Sequence, residues 1–297
     1  MSQYKFKSLL CPTESVTEEQ LATDRKLLAF DRSIAHLNRR SFLSVLAAAT
    51  AMTAISGGRP AYAQTTTPGI TDVLNFALNL EYLEANFYLY ASSGTGLSAT
   101  DMGTGGVAVT GAPAKLTLDA PTMAVAQALA QDEKNHVELL RGAITTLGGT
   151  PIAQPAINLA AMGAITTQAQ FLAAARQFTA LGGSAYIGSA QLLVSNTSVL
   201  TTASQILGAE GQHAGALNYL CAVQGVTSPA IDAQDVPPSQ TNYFTVDFVN
   251  ALSPSRNTSQ VLGVVYAVSK PTTTNPATGV TMGGFFPNGV NGTVKST

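Results

Sequence analysis

Charge, cysteine and histidine are all scarce in this sequence, and each scarcity excludes something. Charged residues make up 11% of the 297, with a formal net charge of −2, so there is no basic surface to hold nucleic acid by electrostatics. No stretch reaches the ~18 apolar residues of a membrane-spanning helix. There are two cysteines, Cys11 and Cys221, and three histidines, His36, His136 and His213. Carboxylates are missing altogether between Leu139 and Ala209, so an element formed there brings no acidic ligand. Hydrophobic residues, by contrast, reach 45%, enough to fill the core of one large domain or two small ones.

The N-terminal 63 residues read as a targeting segment. Asn38-Arg39-Arg40-Ser41-Phe42-Leu43 resembles the twin-arginine export signal, with Ser44 where a lysine is usual. The apolar run Val45–Met52 follows, and Ala61-Tyr62-Ala63 has the small-x-small pattern of a cleavage site. The expectation is a periplasmic or otherwise exported protein, handled by the twin-arginine machinery and a signal peptidase. Cleavage near Ala63 would leave no stable membrane span; a retained anchor is the alternative. The remaining chain has seven Lys/Arg against twelve Asp/Glu, a net charge of −5. Cys11 leaves with the signal, so Cys221 has no partner for an intrachain disulfide and reads as a small buried hydrophobe.

Four helices and a tail follow. The first spans about 70–91 with Thr71 as N-cap; Asp72, Asn75, Asn79 and Asn86 form one polar stripe, and Glu81 and Glu84 point into the apolar face. A Gly/Ser/Thr-rich loop over 92–119, with a strand-like piece at 106–110, leads to a second helix beginning at Asp119 or Thr122 and ending at Gly148-Gly149. A Pro-containing connection over 148–165 is long enough to run the length of a helix, at ~3.3 Å per extended residue. The third helix covers about 168–194 and the fourth about 201–223. Beyond them lie an extended segment over 224–252, a short apolar helix over 255–268 capped by Ser253-Pro254, and a turn-rich end whose Phe285-Phe286 pair packs on the bundle. The domains expected are the signal segment, 1–63; a four-helix bundle, 64–225; and a C-terminal extension, 226–297.

The chemistry lies in a repeated motif. Glu133 precedes His136 by three positions, and Glu210 precedes His213 by three. Residues three apart share a helical face, so each pair offers one carboxylate and one imidazole to a metal ion. The exported portion has only these two histidines and five glutamates, and random placement would pair both in this way roughly once in 2000 trials. Both pairs point into apolar faces, whereas Glu138 lies on the solvent stripe of the second helix.

These segments resemble the ferritin-like domain family, in particular its desiccation-related proteins and their bacterial relatives. The resemblance covers about 71–225 and rests on Leu80-Glu-Tyr-Leu-Glu-Ala-Asn-Phe-Tyr88, Asp132-Glu-Lys-Asn-His136, Phe171-Leu-Ala-Ala-Ala-Arg176 with Ser184-Ala-Tyr186, and Ile206-Leu-Gly-Ala-Glu-Gly-Gln-His213. It implies an all-α, ferritin-like four-helix bundle with a long crossover between the second and third helices, holding a di-iron or di-manganese site. The implied ligands are Glu81, Glu84, Glu133, His136, Glu210 and His213, with Glu81 favoured over Glu84 as the usual first-helix ligand. Relatives commonly carry Glu on the third helix where this chain has Thr179. Either Glu84 makes good that loss and two ions bind, or the bundle holds one ion or none.

The leading expectation is an exported metal-binding protein with oxidase or peroxide-removing chemistry in stress protection. The alternative is a non-catalytic structural or desiccation-protective bundle with a degenerate site. A third reading gives the tail a partner-binding role at the cell surface. Bundles of this family often dimerise, so a homodimer is expected by resemblance alone.

Overall fold

The computed structural model describes residues 68–266 and 277–297, so the signal-like segment 1–63 lies outside the described residues. The described residues are all-α, with three isolated β-bridges and no named strand. The helices are α1 (Ile70–Ser93), α2 (Ala99–Met102), α3 (Ala120–Thr146), α4 (Gln168–Ser189), α5 (Thr197–Val223) and α6 (Thr258–Val265). Helix α4 continues into a 3-10 turn, Ala190–Leu193. None of them is long and apolar enough to cross a membrane.

Local chemistry sets the helix ends. Asp119 accepts from Thr122 N at 2.8 Å to start α3, with Pro121 in the first turn, where its missing N–H costs nothing. Gly148, at φ 77°, ends it. Thr167 and Gln170 form a capping box on α4, and Asn196 caps α5 through Val199 N. Two caps differ from the sequence reading. Helix α1 starts from Gly69, whose N–H is held at 2.9 Å by the Asp72 carboxylate, so Thr71 lies inside the helix. Helix α6 starts at Asn257 with Gln260 completing its box, so Ser253-Pro254 remain in the preceding loop. In both places a side chain three residues into the helix satisfies the entering backbone better than the residue expected. The strand-like piece at 106–110 reduces to one bridge, Thr110 with Asn158, and the loop also forms the short α2.

Helix α1 packs mainly against α3, and α4 against α5. An aromatic cluster fills the end of the bundle nearest Phe171. Phe87 stacks on Phe171 with centroids 5.6 Å apart, meets Tyr88 edge-on at 5.0 Å and touches Phe178 at 4.7 Å. Phe178 in turn meets Phe285 from the C-terminal end at 5.2 Å, and Phe286 is fully buried.

The polar stripe of α1 does not face solvent along its length. Asn79 and Asn86 are 0% and 1% exposed, because later parts of the chain cover them. Asn79 exchanges two hydrogen bonds of 2.9 Å with the backbone of Asn291, and Asn86 donates to Gln154 Oε1 of the crossover at 2.8 Å. Asn75 accepts from Ile152 N at 3.0 Å. Amide side chains spaced along one helix thus dock both the crossover and the tail.

One buried arginine fastens the extension to α4 and a second ties the extension together. Arg176 on α4 donates to both oxygens of Asp235, to Ser228 Oγ and to Pro229 O, and Arg256 donates to both oxygens of Asp232. Gly188 on α4 lets this segment come close, since a Cβ there would collide with the backbone of Arg256.

Candidate metal centre

Helices α1, α3 and α5 each turn acidic or imidazole side chains into the bundle interior, where helix amphipathicity would place apolar ones. Glu133 is 0% exposed, Glu210 2%, Glu81 4% and Glu84 6%, with His213 at 7% and His136 at 8%. All six side chains named from the sequence therefore lie inside the bundle. Each Glu-x-x-His pair shares a face as its spacing requires, and Glu138 is exposed, paired with Lys134.

His136 Nδ1 is the centre of a tight group. It lies 3.1 Å from Glu133 Oε2, 3.3 Å from Glu81 Oε2 and 3.6 Å from Glu210 Oε1. One ligand atom from each of Glu81, Glu133, His136 and Glu210 falls within 4.8 Å of the others, the spread expected of donors around one ion. His213 Nδ1 approaches from α5, 3.0 Å from Glu133 Oε1 and 3.7 Å from Glu210 Oε1. Glu84 stands beyond Glu210, against α4.

Helix α4 brings other chemistry. Thr179, the position where relatives carry a carboxylate, turns its hydroxyl back onto Ala175 O and Arg176 O of its own helix. Tyr186, two turns on, donates a short hydrogen bond to Glu81 Oε1. Gly182, between them, lets Glu84 come close to α4, since a Cβ there would stand 2.6 Å from Glu84 Oε1 and 3.3 Å from Glu210 Oε2. Asp132 is a further participant, with Oδ2 3.2 Å from His213 Nε2. The roles of Tyr186, Gly182 and Asp132 are tertiary: each meets a ligand carried by a different helix, which periodicity within one helix cannot reveal.

Electrostatics show how the cluster is balanced without metal. Burial raises Glu81 to about 7 and Glu210 to about 8, and it holds Glu84 well above the carboxylate range with Glu210 and Glu133 adding to the rise. Burial would raise Glu133 too, but the two imidazoles outweigh it and bring the group down to about 2. Burial opposes charge on His136 and His213, yet the surrounding carboxylates win and raise both to about 11. The shifts favour protons on both imidazoles and on the Glu81, Glu84 and Glu210 carboxyls.

Protons do not satisfy the cluster fully. Glu84 Oε2, Glu133 Oε1, Glu210 Oε2 and His213 Nδ1 are buried without a hydrogen-bond partner, although His213 Nδ1 and Glu133 Oε1 face each other at 3.0 Å off the line a hydrogen bond needs. Orphaned ligand-type atoms in a buried cluster fit a metal ion, which makes bonds to lone pairs where hydrogen-bond alignment fails.

A family model for the ferritin-like domain matches residues 69–223, the four long helices with their connections. The chain belongs to the ferritin-like domain family. This agrees with the ferritin-like, desiccation-related resemblance read from its helix motifs, and with the buried Glu/His cluster it makes the chain a ferritin-like metal-binding protein. A curated relative is the ferritin-like catalase Nec2 of Nesocodon mauritianus, 37% identical over 92 residues, a match that covers 30% of this chain and 28% of that protein.

Proposed function

We propose that this protein is exported and uses iron or manganese, bound in the bundle, to remove hydrogen peroxide. The observation that carries the reading is the convergence of ligand atoms of Glu81, Glu133, His136 and Glu210 within 4.8 Å inside the bundle. Carboxylate oxygens and imidazole nitrogens with no thiolate suit iron or manganese, although zinc competes on affinity. Similarity to a protein named a catalase favours peroxide over dioxygen as the substrate. Metal bound here would supply the redox couple by which one peroxide is oxidised to dioxygen and a second reduced to two waters.

The chain's own residues manage position and protons. His136 and Glu133, one helical turn apart on α3, fix one side of the centre, and Glu81 and Glu210 reach it from α1 and α5. Oxidation of one peroxide releases two protons and reduction of the other consumes two. Glu81 and Glu210 would hold the metal in their ionised form, so metal binding displaces the protons that burial otherwise keeps on them. Tyr186 Oη, donating to Glu81 Oε1, holds that carboxylate in place.

Metal analysis of protein purified without chelator tests the reading. Iron or manganese in the protein, and dioxygen evolved from peroxide until a chelator removes the metal, is the expected result. A folded protein that takes up neither metal on titration overturns it. The export step rests on Arg39-Arg40 and Ala61-Tyr62-Ala63. N-terminal sequencing of the exported protein should begin at Gln64, and a chain that keeps the upstream residues overturns that part.

One observation favours a second reading, a stress-protective bundle without chemistry. Thr179 gives the site no carboxylate, and His136 and Glu133 already pair at 3.1 Å within it. That reading expects the melting temperature to be the same with and without added manganese or iron.

A further inference from the structure

The four most exposed large apolar side chains among the described residues all lie within residues 243–252. They are Phe244, Phe248, Val249 and Leu252, with Phe248 81% and Val249 89% exposed. Apolar side chains scattered singly over a surface need no explanation, but four within ten residues, joined by Tyr243, make a patch. Tyr219 on α5 extends it, with its ring 6.1 Å from that of Tyr243.

The backbone under the patch closes on itself. The Asp247 carboxylate accepts from the N–H groups of Val249, Asn250 and Leu252 at 2.9, 2.6 and 2.8 Å. Asp247 N–H donates to Leu252 O, and Ala251 N–H donates to Asp247 O. Ala251 takes φ 57° to complete the turn, a conformation that a Cβ disfavours. Phe248 and Val249 are thereby held on a turn most of whose backbone donors are already bonded. Free charge is missing as well. Residues 219–252 contain no Lys or Arg, and their charged side chains are Asp232, Asp235 and Asp247. Arg256 holds Asp232, Arg176 holds Asp235, and Asp247 is turned onto the loop's own backbone.

A protein partner is selected and oriented largely by charge complementarity, and this surface offers none. A bilayer asks for apolar side chains on a backbone that needs no water, with tyrosine rings at headgroup level. We infer that residues 243–252 form a membrane-docking loop. Phe244, Phe248, Val249 and Leu252 enter the apolar edge of one leaflet, and Tyr219 and Tyr243 lie among the headgroups. Docking is apolar rather than electrostatic, and it is independent of the metal-binding reading.

Flotation with lipid vesicles tests this. The described residues belong to one compact unit, Tyr62–Thr297, so the chain from Gln64 is used, which also removes the apolar run at 45–52. It should float with phosphatidylcholine vesicles, and added phosphatidylglycerol or salt should change the binding by no more than about twofold. Phe248→Ser should lower the partition coefficient ~10-fold or more, the factor for one large apolar side chain, with circular dichroism unchanged. Leu139→Ser, at an exposed leucine on α3, should leave it alone. The sequence has no tryptophan, so Phe248→Trp reports from the loop alone. Its emission should move to shorter wavelength with vesicles and be quenched by brominated lipid. A chain that stays off the vesicles, or binds equally well as Phe248→Ser, overturns the inference. So does Phe248→Trp emission that vesicles leave unmoved, or binding seen only with phosphatidylglycerol. A chain that ignores vesicles but dimerises in sedimentation, with Phe248→Ser monomeric, would make the patch an interface between copies instead.

Discussion

Asp132 Oδ2 lies 3.2 Å from His213 Nε2, while the other ring nitrogen of His213 faces Glu133 Oε1 at 3.0 Å. The half-exposed aspartate on α3 thereby sets the rotation of an imidazole on α5 and leaves Nδ1 directed into the cluster. The residue that stands before Glu210 as Asp132 stands before Glu133 is Ala209, so α5 returns no carboxylate to His136 in this way. Carboxylates that orient a ligating imidazole are typically worth ~10–100-fold in metal affinity. Asp132→Asn should therefore weaken Mn²⁺ binding by about that factor in competition with a chelator, with circular dichroism unchanged. Glu138→Gln, a change to an exposed carboxylate on the same helix, should leave the affinity alone. Equal affinities in the two variants would remove Asp132 from the site.

The protons in the metal-free cluster give its stability a defined pH dependence. Glu81 and Glu210 rise from 4.5 to about 7 and about 8, and His136 and His213 rise from 6.5 to about 11. In all four the folded chain binds protons more tightly than the unfolded one, so their contribution is present at low pH and lost as pH rises, the carboxyls through 4.5–8 and the imidazoles through 6.5–11. Glu133, lowered to about 2, acts in the opposite sense: its contribution is present above 4.5 and lost as pH falls toward 2. Metal-free protein should therefore melt at a lower temperature at about pH 9 than at about pH 5. Metal binding should release protons and tighten as pH rises, which calorimetry in buffers of different ionisation enthalpy would register. A melting temperature that climbs steadily from pH 5 to pH 9 without metal would contradict the proton-filled cluster.

The helices and inward ligands were legible because both depend on short spacing. Glu133 with His136 and Glu210 with His213 lie one turn apart, and a carboxylate on an apolar face is conspicuous against its neighbours. The asparagine stripe of α1 shows the limit of such a reading. Periodicity marked Asn79 and Asn86 as polar, but it could not show that Asn291 and Gln154, far along the chain, would cover them. Gly182 carries no such signal, because its neighbour Glu84 belongs to another helix. Arg176 was visible as a motif residue, and its partner Asp235 only from the fold.

That partnership carries a stability prediction. Arg176 is fully buried and its guanidinium is held by Asp235, Ser228 and Pro229 O. Burial disfavours its charge, and Asp235 counters this. Asp235→Ala would leave a buried cation unpaired and should cost ~3–5 kcal/mol in denaturant unfolding, loosening residues 228–235 from α4. Adding Arg176→Met to that variant should recover much of the loss, because an apolar side chain needs no partner. A single variant as stable as the unmodified protein would show that the pair does not fasten the extension.

The C-terminal end is the place where the structure departs most from a free partner-binding arm. Phe286 is 0% exposed, Val290 and Val294 are 5% and 2% exposed, and Tyr266 donates to Lys295 O at 2.8 Å. Asn291 closes its two-bond exchange with Asn79 on α1, a helix that also carries Glu81 and Glu84. The tail is thus part of the core beside the ligand-bearing helix. Phe286→Ala should cost ~3–5 kcal/mol, the range for removing a buried phenyl ring. Asn79→Ala should cost ~1–3 kcal/mol by leaving the Asn291 backbone unpaired. Removal of residues 277–297 should lower the unfolding midpoint by more than either substitution and reduce Mn²⁺ uptake with it. If the truncated chain keeps both its midpoint and its metal, the tail is an appendage, and a binding role for it becomes the better account.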